Sequence, residues 1–150
     1  MPEGRPAVTR TRLTSAERAL RDAVAALREE HRGWTFPPRV RVGELAGAHV
    51  GLEVPLDREP DGALIADMVD ALVERALVEG VLPRRRPGAG WVLRPGAPED
   101  DPTDRSWLRE VSRAVQLRGL PAPGLWVVTK GGGTDLRTGR TRTWLRARRS

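Results

Sequence analysis

The sequence contains no cysteine and only two histidines among its 150 residues. The absence of cysteine excludes a disulfide framework, a zinc finger and a thiol nucleophile. The histidines, His31 and His49, are single residues near predicted helix ends. No segment approaches the roughly 18 apolar residues of a membrane-spanning helix, and residues 1–12 lack the apolar centre of a signal peptide. We therefore expect a cytoplasmic, non-catalytic protein that needs neither a metal nor another cofactor.

Lysine is also nearly absent, because Lys130 is the only lysine and arginine supplies the other basic groups. The net charge of +6 is unevenly distributed. Residues 14–83 carry −5, residues 84–96 carry +4, residues 97–104 carry −4 and residues 105–150 carry +9. This asymmetry favours a polyanionic partner for the basic segments. A solvated surface of an arginine-rich protein is the alternative interpretation.

Apolar residues at helical spacing predict three helices, over residues 15–31, 61–79 and 105–118. Thr14 and Glu17 form a capping box at the start of the first helix, and Asp104 is the expected cap of the third. A short helix is also predicted over residues 43–50. Two hairpins are expected, one joining Val81-Leu82 to Trp91-Val-Leu93 through a turn at 87–90, the other turning near 130–134.

These elements predict an α+β protein with two small units. Residues 1–12 form a basic arm that is expected to be disordered, and residues 13–95 form a winged-helix-like unit. An acidic, proline-rich linker follows over residues 96–104. Residues 105–150 form a basic helix-plus-hairpin unit. Trp91, Trp107 and Trp126 lie on predicted apolar faces and are expected in the core.

The order of elements across residues 14–94 resembles that of the winged-helix-turn-helix family. The residues that carry this resemblance are Val42-Gly-Glu-Leu-Ala46 and the segment from Asp70 to Arg85, followed by a glycine-rich tip and Trp91-Val-Leu93. The resemblance implies that the third helix of the unit enters the DNA major groove and that the wing contacts phosphates, as in bacterial transcription regulators. The segment from Glu59-Pro-Asp61 to Asp70-Ala-Leu-Val73 resembles, more faintly, the Holliday-junction resolvases of the RusA type, and this second resemblance implies a metal-dependent nuclease.

The helix in the recognition position is acidic, with Asp67, Asp70 and Glu74 on one side, and these carboxylates would repel phosphates. The same three residues could bind Mg²⁺, but a solvated helix face is the simpler interpretation. We therefore expect DNA or RNA to be contacted elsewhere. Arginine guanidinium groups form forked hydrogen bonds to phosphates, threonine hydroxyls bind them too, and tryptophan offers a stacking surface for bases. The predicted nucleic-acid-binding residues lie in the wing and in the C-terminal segment: Arg84, Arg85, Arg86, Arg137, Arg140, Arg142, Trp144, Arg146, Arg148 and Arg149.

If residues 140–146 form a strand, Arg140, Arg142, Trp144 and Arg146 share one face of it. The sequence thus favours a nucleic-acid-binding regulator or accessory factor. The alternative is a structural or adaptor subunit of a phage- or plasmid-type assembly, whose basic tail contacts an acidic protein. A protein partner or a homodimer is also compatible with the sequence.

Overall fold

Helices are interspersed with strands along the chain in this computed structural model, which describes residues 13–57 and 59–144. The described residues confirm the predicted α+β class, with three helices and six strands. In chain order they are α1 (Ser15–Glu30), β1 (Arg39–Gly43), β2 (His49–Glu53), α2 (Gly62–Val78), β3 (Ala89–Leu93), α3 (Pro102–Leu117), β4 (Gly124–Thr129), β5 (Gly132–Asp135) and β6 (Arg140–Thr143). Within these ranges no helix is both long and apolar enough to cross a membrane.

The six strands form one mixed sheet with the order β2-β1-β3-β4-β5-β6. Strands β2 and β3 are both antiparallel to β1, and β4 is parallel to β3. Consequently β2, β3 and β4 all point in the same direction. We call the end of the sheet where these three strands finish the carboxyl edge, and the end where they begin the amino edge. Helices α2 and α3 connect them, so both helices begin at the carboxyl edge.

The helices cover both faces of the sheet. Helices α2 and α3 pack on one face, where Val40, Val92 and Val127 join their apolar side chains. Helix α1 packs on the other face against Trp91 and Leu93. All five residues of β3 are buried, because this strand lies in the middle of the sheet with helices on both sides. Continuous apolar runs are typical of strands in that position.

The ends of the helices follow from their capping residues. Thr14 Oγ1 accepts a hydrogen bond from the Glu17 backbone N–H at 3.1 Å, as the capping box predicts. Asp61 accepts one from Leu64 N–H at 2.8 Å and starts α2. Helix α3 begins three residues earlier than predicted, because Asp101 and not Asp104 is its N-cap. Pro102 follows at the first helical position, where a missing N–H has no consequence.

The short helix predicted over residues 43–50 is wrong. Strands β1 and β2 pair from Gly43 with His49 to Arg39 with Glu53, so the residues between them form a turn. Gly43 has φ 149°, and a Cβ atom there would lie 2.5 Å from the Ala48 carbonyl oxygen. Glycine is therefore required where the chain enters this turn. A run of eight residues is too short for periodicity to distinguish a helix from a hairpin.

The hairpin predicted between Val81-Leu82 and Trp91-Val-Leu93 is also wrong. Residues 81–82 form no strand, and β3 pairs with β1 and β4 instead. Residues 96–104, predicted as a linker, comprise most of the loop after β3 and the first residues of α3. Strands from both sides of this segment lie side by side in the sheet. The second predicted turn is confirmed, since Lys130 and Gly131 connect β4 to β5.

Candidate nucleic-acid interface

The predicted nucleic-acid-binding residues occupy three places in the structure. Arg84, Arg85 and Arg86 lie in the loop between α2 and β3. Arg137 lies in the turn between β5 and β6, and Arg140 and Arg142 lie on β6. Trp144 directly follows that strand. Arg146, Arg148 and Arg149 lie outside the described residues.

Arg86 and Arg137 border one open groove of about 550 Å³ at the amino edge of the sheet. We call it the basic groove. Its other walls are the first residues of α1, the turn between β1 and β2, and the first residues of β3 and β4: Ser15, Ala16, Ala19, Glu44, Leu45, Ala46, Gly47, Pro87, Gly88, Ala89, Gly124 and Trp126. Two basic segments that are distant in sequence therefore meet, because β3 and β4 are adjacent and parallel.

Helix α1 begins at the basic groove, which Ser15 and Ala16 line. The N-terminus of a helix carries roughly half a positive elementary charge from its aligned peptide dipoles. Phosphates are stabilised at such positions. The helix therefore adds to the positive potential that the arginine side chains provide.

The two arginines that line the groove, Arg86 and Arg137, and the adjacent Arg84 and Arg85 differ in whether a carboxylate neutralises them. Arg86 forms an ion pair with Glu44 across the groove. The guanidinium groups of Arg84, Arg85 and Arg137 have no carboxylate partner among residues 13–57 and 59–144. These exposed groups are the ones that a polyanion can reach without displacing a protein contact.

Arg140 and Arg142 share one face of β6 as predicted, and this face is turned toward α1. Arg142 pairs with Glu17, a carboxylate that is only 9% exposed, and Arg140 lies 3.9 Å from the same side chain. Trp144 packs against the apolar cluster under α1. Its carbonyl oxygen accepts a hydrogen bond from Arg28 at 2.7 Å. These side chains therefore attach β6 to α1.

The acidic side of α2 is partly neutralised by α3. Asp70 lies 3.4 Å from Arg113 and 3.6 Å from Arg118, and Glu74 lies 3.3 Å from Arg118. These are mostly exposed pairs, which contribute little to stability. Within the described part of the chain, no cluster of three or more histidine, aspartate or glutamate residues could hold a metal ion.

Lys130 has a structural position that the sequence did not indicate. It follows β4 at a turn, yet it is largely buried and its ammonium group donates to the carbonyl oxygens of His31 and Gly33. The ammonium group also lies 5.8 Å from the centre of the Trp34 ring. The neighbouring glycines had suggested only a flexible turn. Through these hydrogen bonds the lysine instead connects the loop after α1 to the end of β4.

No protein family, curated protein or solved structure matches this chain.

Proposed function

We propose that the protein binds nucleic acid at the basic groove and does so without catalysis. The observation that carries this proposal is the convergence of Arg86 and Arg137, from two separate basic segments, on one groove at the N-terminus of α1. Arg84 and Arg85 lie in the same loop as Arg86 and add exposed charge beside it. The groove is open, so a continuous phosphate backbone can pass along it.

The contacts are to phosphates and carry no sequence information by themselves. Arginine donates paired hydrogen bonds to phosphate oxygens, and the dipole of α1 favours the same charge. We place the protein in the cytoplasm as a DNA-binding regulator or accessory factor. The loop of Arg84, Arg85 and Arg86 precedes β3, but residues 81–82 form no strand, so this loop is not a hairpin wing and the proposal does not depend on the winged-helix resemblance.

The proposal is tested by measuring affinity for duplex DNA, single-stranded DNA and RNA as a function of salt. Each neutralised phosphate of duplex DNA contributes about −0.9 to the slope of log K against log salt. The double variant Arg85→Ala/Arg137→Ala should bind more weakly and flatten the slope by about two. The matched control is Arg32→Ala/Arg109→Ala, which removes the same charge from exposed residues away from the groove.

The control should bind with nearly the parent slope. Equal slopes for the two double variants would show that binding follows net charge and not the groove. Absence of binding to all three nucleic acids at low salt would overturn the proposal and favour the adaptor function.

A further inference from the structure

Strand β2 is the first strand of the sheet, and its hydrogen bonds to β1 show which of its backbone groups face outward. Val54 N–H donates to the Pro38 carbonyl oxygen, and Glu44 N–H donates to that of Ala48. In an antiparallel pair, every second residue exchanges hydrogen bonds with the partner strand, and the residues between them point away from it. The outward-facing backbone groups are therefore those of His49, Gly51 and Glu53.

This edge lacks the usual protection against pairing with another strand. Natural edge strands are blocked by proline, lysine, a bulge or a covering element. The sequence of β2 is His-Val-Gly-Leu-Glu, and its pairing with β1 is continuous. Beyond it, residues 13–57 and 59–144 supply no further strand. The Arg75 guanidinium approaches the outward carbonyl oxygen of Gly51 at 3.5 Å, a distance too long for a strong hydrogen bond.

The outward side of β2 is complementary to itself. A second copy of the strand, antiparallel and centred on Gly51, places the outward N–H and C=O groups of each copy against those of the other. His49 then lies opposite Glu53 of the second copy, so an imidazole faces a carboxylate on both sides of the two-fold axis. On the other face of the sheet, Val50 lies opposite Leu52 of the second copy.

Helix α2 packs over β1 and β2, and its side next to the free edge is apolar. Met68 and Ala71 border a shallow groove of about 180 Å³ against β2. Leu64 and Val78 lie on the same side of the helix, at intervals of three and four residues from these two. Val78 is 80% exposed. Apolar side chains beside an open strand edge are typical of the centre of a protein interface.

The two-fold axis that relates the two strands also brings the two α2 helices into packing distance. Neighbouring strands are about 4.8 Å apart, and a helix above β1 and β2 lies about one strand spacing from the axis. The two helices would therefore be about 10 Å apart, close to the usual 8–10 Å between packed helices. The helices run antiparallel, and the small side chain of Ala71 lies near the axis.

This arrangement also pairs the outer residues of the two helices. With Ala71 at the axis, residues that precede it face residues that follow it in the second copy. Leu64 accordingly faces Val78 of the second copy, and the exposed Asp67 faces Arg75 of the second copy. The helices are thus complementary in both apolar contact and charge, as the strands are.

We propose that the protein forms a symmetric dimer in which β2 pairs with β2 of a second copy and α2 packs against its counterpart. The sheet then continues from one copy into the other. None of the residues that line the basic groove belongs to this surface. The dimer is therefore independent of nucleic-acid binding.

Sedimentation equilibrium of the full chain, after nuclease treatment and in moderate salt, measures the association. We expect a reversible dimer at micromolar concentrations. Ala71→Glu changes an exposed residue, and in the monomer its carboxylate can pair with Arg75 one turn later. In the dimer it places two carboxylates together at the axis and should raise Kd at least about tenfold. The control Ala63→Glu changes an exposed alanine outside the interface and should alter Kd by less than about twofold.

The absence of cysteine from the chain allows the helix contact to be tested by cross-linking. In Ala71→Cys the two thiols lie across the axis. Helices about 10 Å apart bring inward-facing Cα atoms to about 5 Å, a separation that a disulfide spans. Mild oxidation of dilute protein should link most of Ala71→Cys and little of the control Ala63→Cys.

Exchanging two residues tests the strand register. His49→Glu places two carboxylates opposite each other on both sides of the axis and should raise Kd roughly two- to tenfold. The double variant His49→Glu/Glu53→His restores a carboxylate opposite an imidazole with the order inverted. It should recover most of the lost affinity.

Three results would overturn the proposal. The first is a parent chain that stays monomeric up to near-millimolar concentration. The second is an Ala71→Glu variant that dimerises as tightly as the parent. The third is cross-linking of Ala63→Cys as efficient as that of Ala71→Cys.

Discussion

The two edges of the sheet differ in charge, burial and the origin of their charged residues. At the amino edge, arginines in loops and in the turn before β6 surround an open groove, and most of their guanidinium groups are exposed. At the carboxyl edge, acids that cap or follow the starts of helices surround a more apolar cavity, and one ion pair there is nearly buried. Asp101, Asp104 and Arg94 are accordingly engaged in contacts within the fold, whereas the guanidinium groups of Arg84, Arg85 and Arg137 remain available to a partner.

The buried ion pair at the carboxyl edge should show the largest effect on stability. Asp104→Ala leaves the Arg94 guanidinium without its carboxylate in a poorly solvated position, which typically destabilises a protein by about 3–5 kcal/mol. Urea denaturation measures this loss. The control is Asp100→Ala, which breaks the exposed pair with Arg105 and should leave the free energy of unfolding nearly unchanged. If Asp104→Ala and Asp100→Ala lowered the free energy of unfolding by similar amounts, burial of the Asp104–Arg94 pair would not be the cause of the effect.

On β6, Arg142 should matter more for stability than Arg140. Removing Arg142 leaves the mostly buried Glu17 carboxylate without its nearest cation, and leaving a buried polar group without its partner costs about 1–3 kcal/mol. Arg140→Ala breaks a longer, exposed contact and should have an effect below about 1 kcal/mol. Thermal unfolding of the two variants checks this order. The reverse order would mean that Arg142 is not what attaches β6 to α1.

Glu44 should weaken the affinity of the groove for polyanions, because it neutralises Arg86. Glu44→Gln should raise affinity for nucleic acid roughly two- to fivefold at low salt, the effect expected of one exposed charge. Glu53→Gln removes a comparable exposed carboxylate that pairs with Arg39 at the far end of β2. It should change affinity less. An unchanged affinity in Glu44→Gln would place the bound phosphates away from Arg86.

The smallest expected effect is a pH dependence that has opposite sign for two carboxyl groups. A hydrogen bond from Arg41 holds the pKa of Glu30 below its ordinary value of 4.5, so this pair stabilises the fold above that pH and the contribution is lost as pH falls through the lowered pKa. Glu30→Gln should therefore cost less than about 1 kcal/mol at neutral pH and less still in acid.

Asp104 has the opposite dependence, because burial raises its pKa above the ordinary 3.8. Its contribution to stability is greatest in acid and falls as pH rises through the raised pKa. Unfolding curves of the parent, Glu30→Gln and Asp104→Asn, measured between pH 3 and 7, distinguish the pH dependence that Glu30 contributes from the one that Asp104 contributes. A Glu30→Gln difference that grows as pH falls would contradict the assignment.

The helices could be predicted because their signals are local. The capping box of Thr14 and Glu17 indicated the start of α1. The helical spacing of apolar residues located α2, whose cap is Asp61. The true start of α3 was also visible in the sequence, since Asp101 followed by Pro102 is a typical helix beginning. It was missed because Asp104 is also a suitable cap and lies closer to the first apolar residues of the helix.

The sheet and the groove could not be predicted, because they depend on pairing between distant segments. Nothing near β3 specifies that its neighbours are β1 and β4. The meeting of Arg86 with Arg137 follows from that pairing. The arginines of β6 were recognised as a shared face, but their partner, Glu17, lies in the first helix.

Mapping where a polyanion contacts the protein tests the basic groove most directly. Backbone amide resonances of ¹⁵N-labelled protein are followed while a short DNA duplex is added at low salt. We predict that the largest shifts fall at the amino edge, in residues 15–19, 44–47, 86–89 and 137. The amides around the cavity at the carboxyl edge, including residues 101–107, should stay nearly unchanged. Shifts concentrated at the carboxyl edge, or none at all, would contradict the basic groove as the binding site.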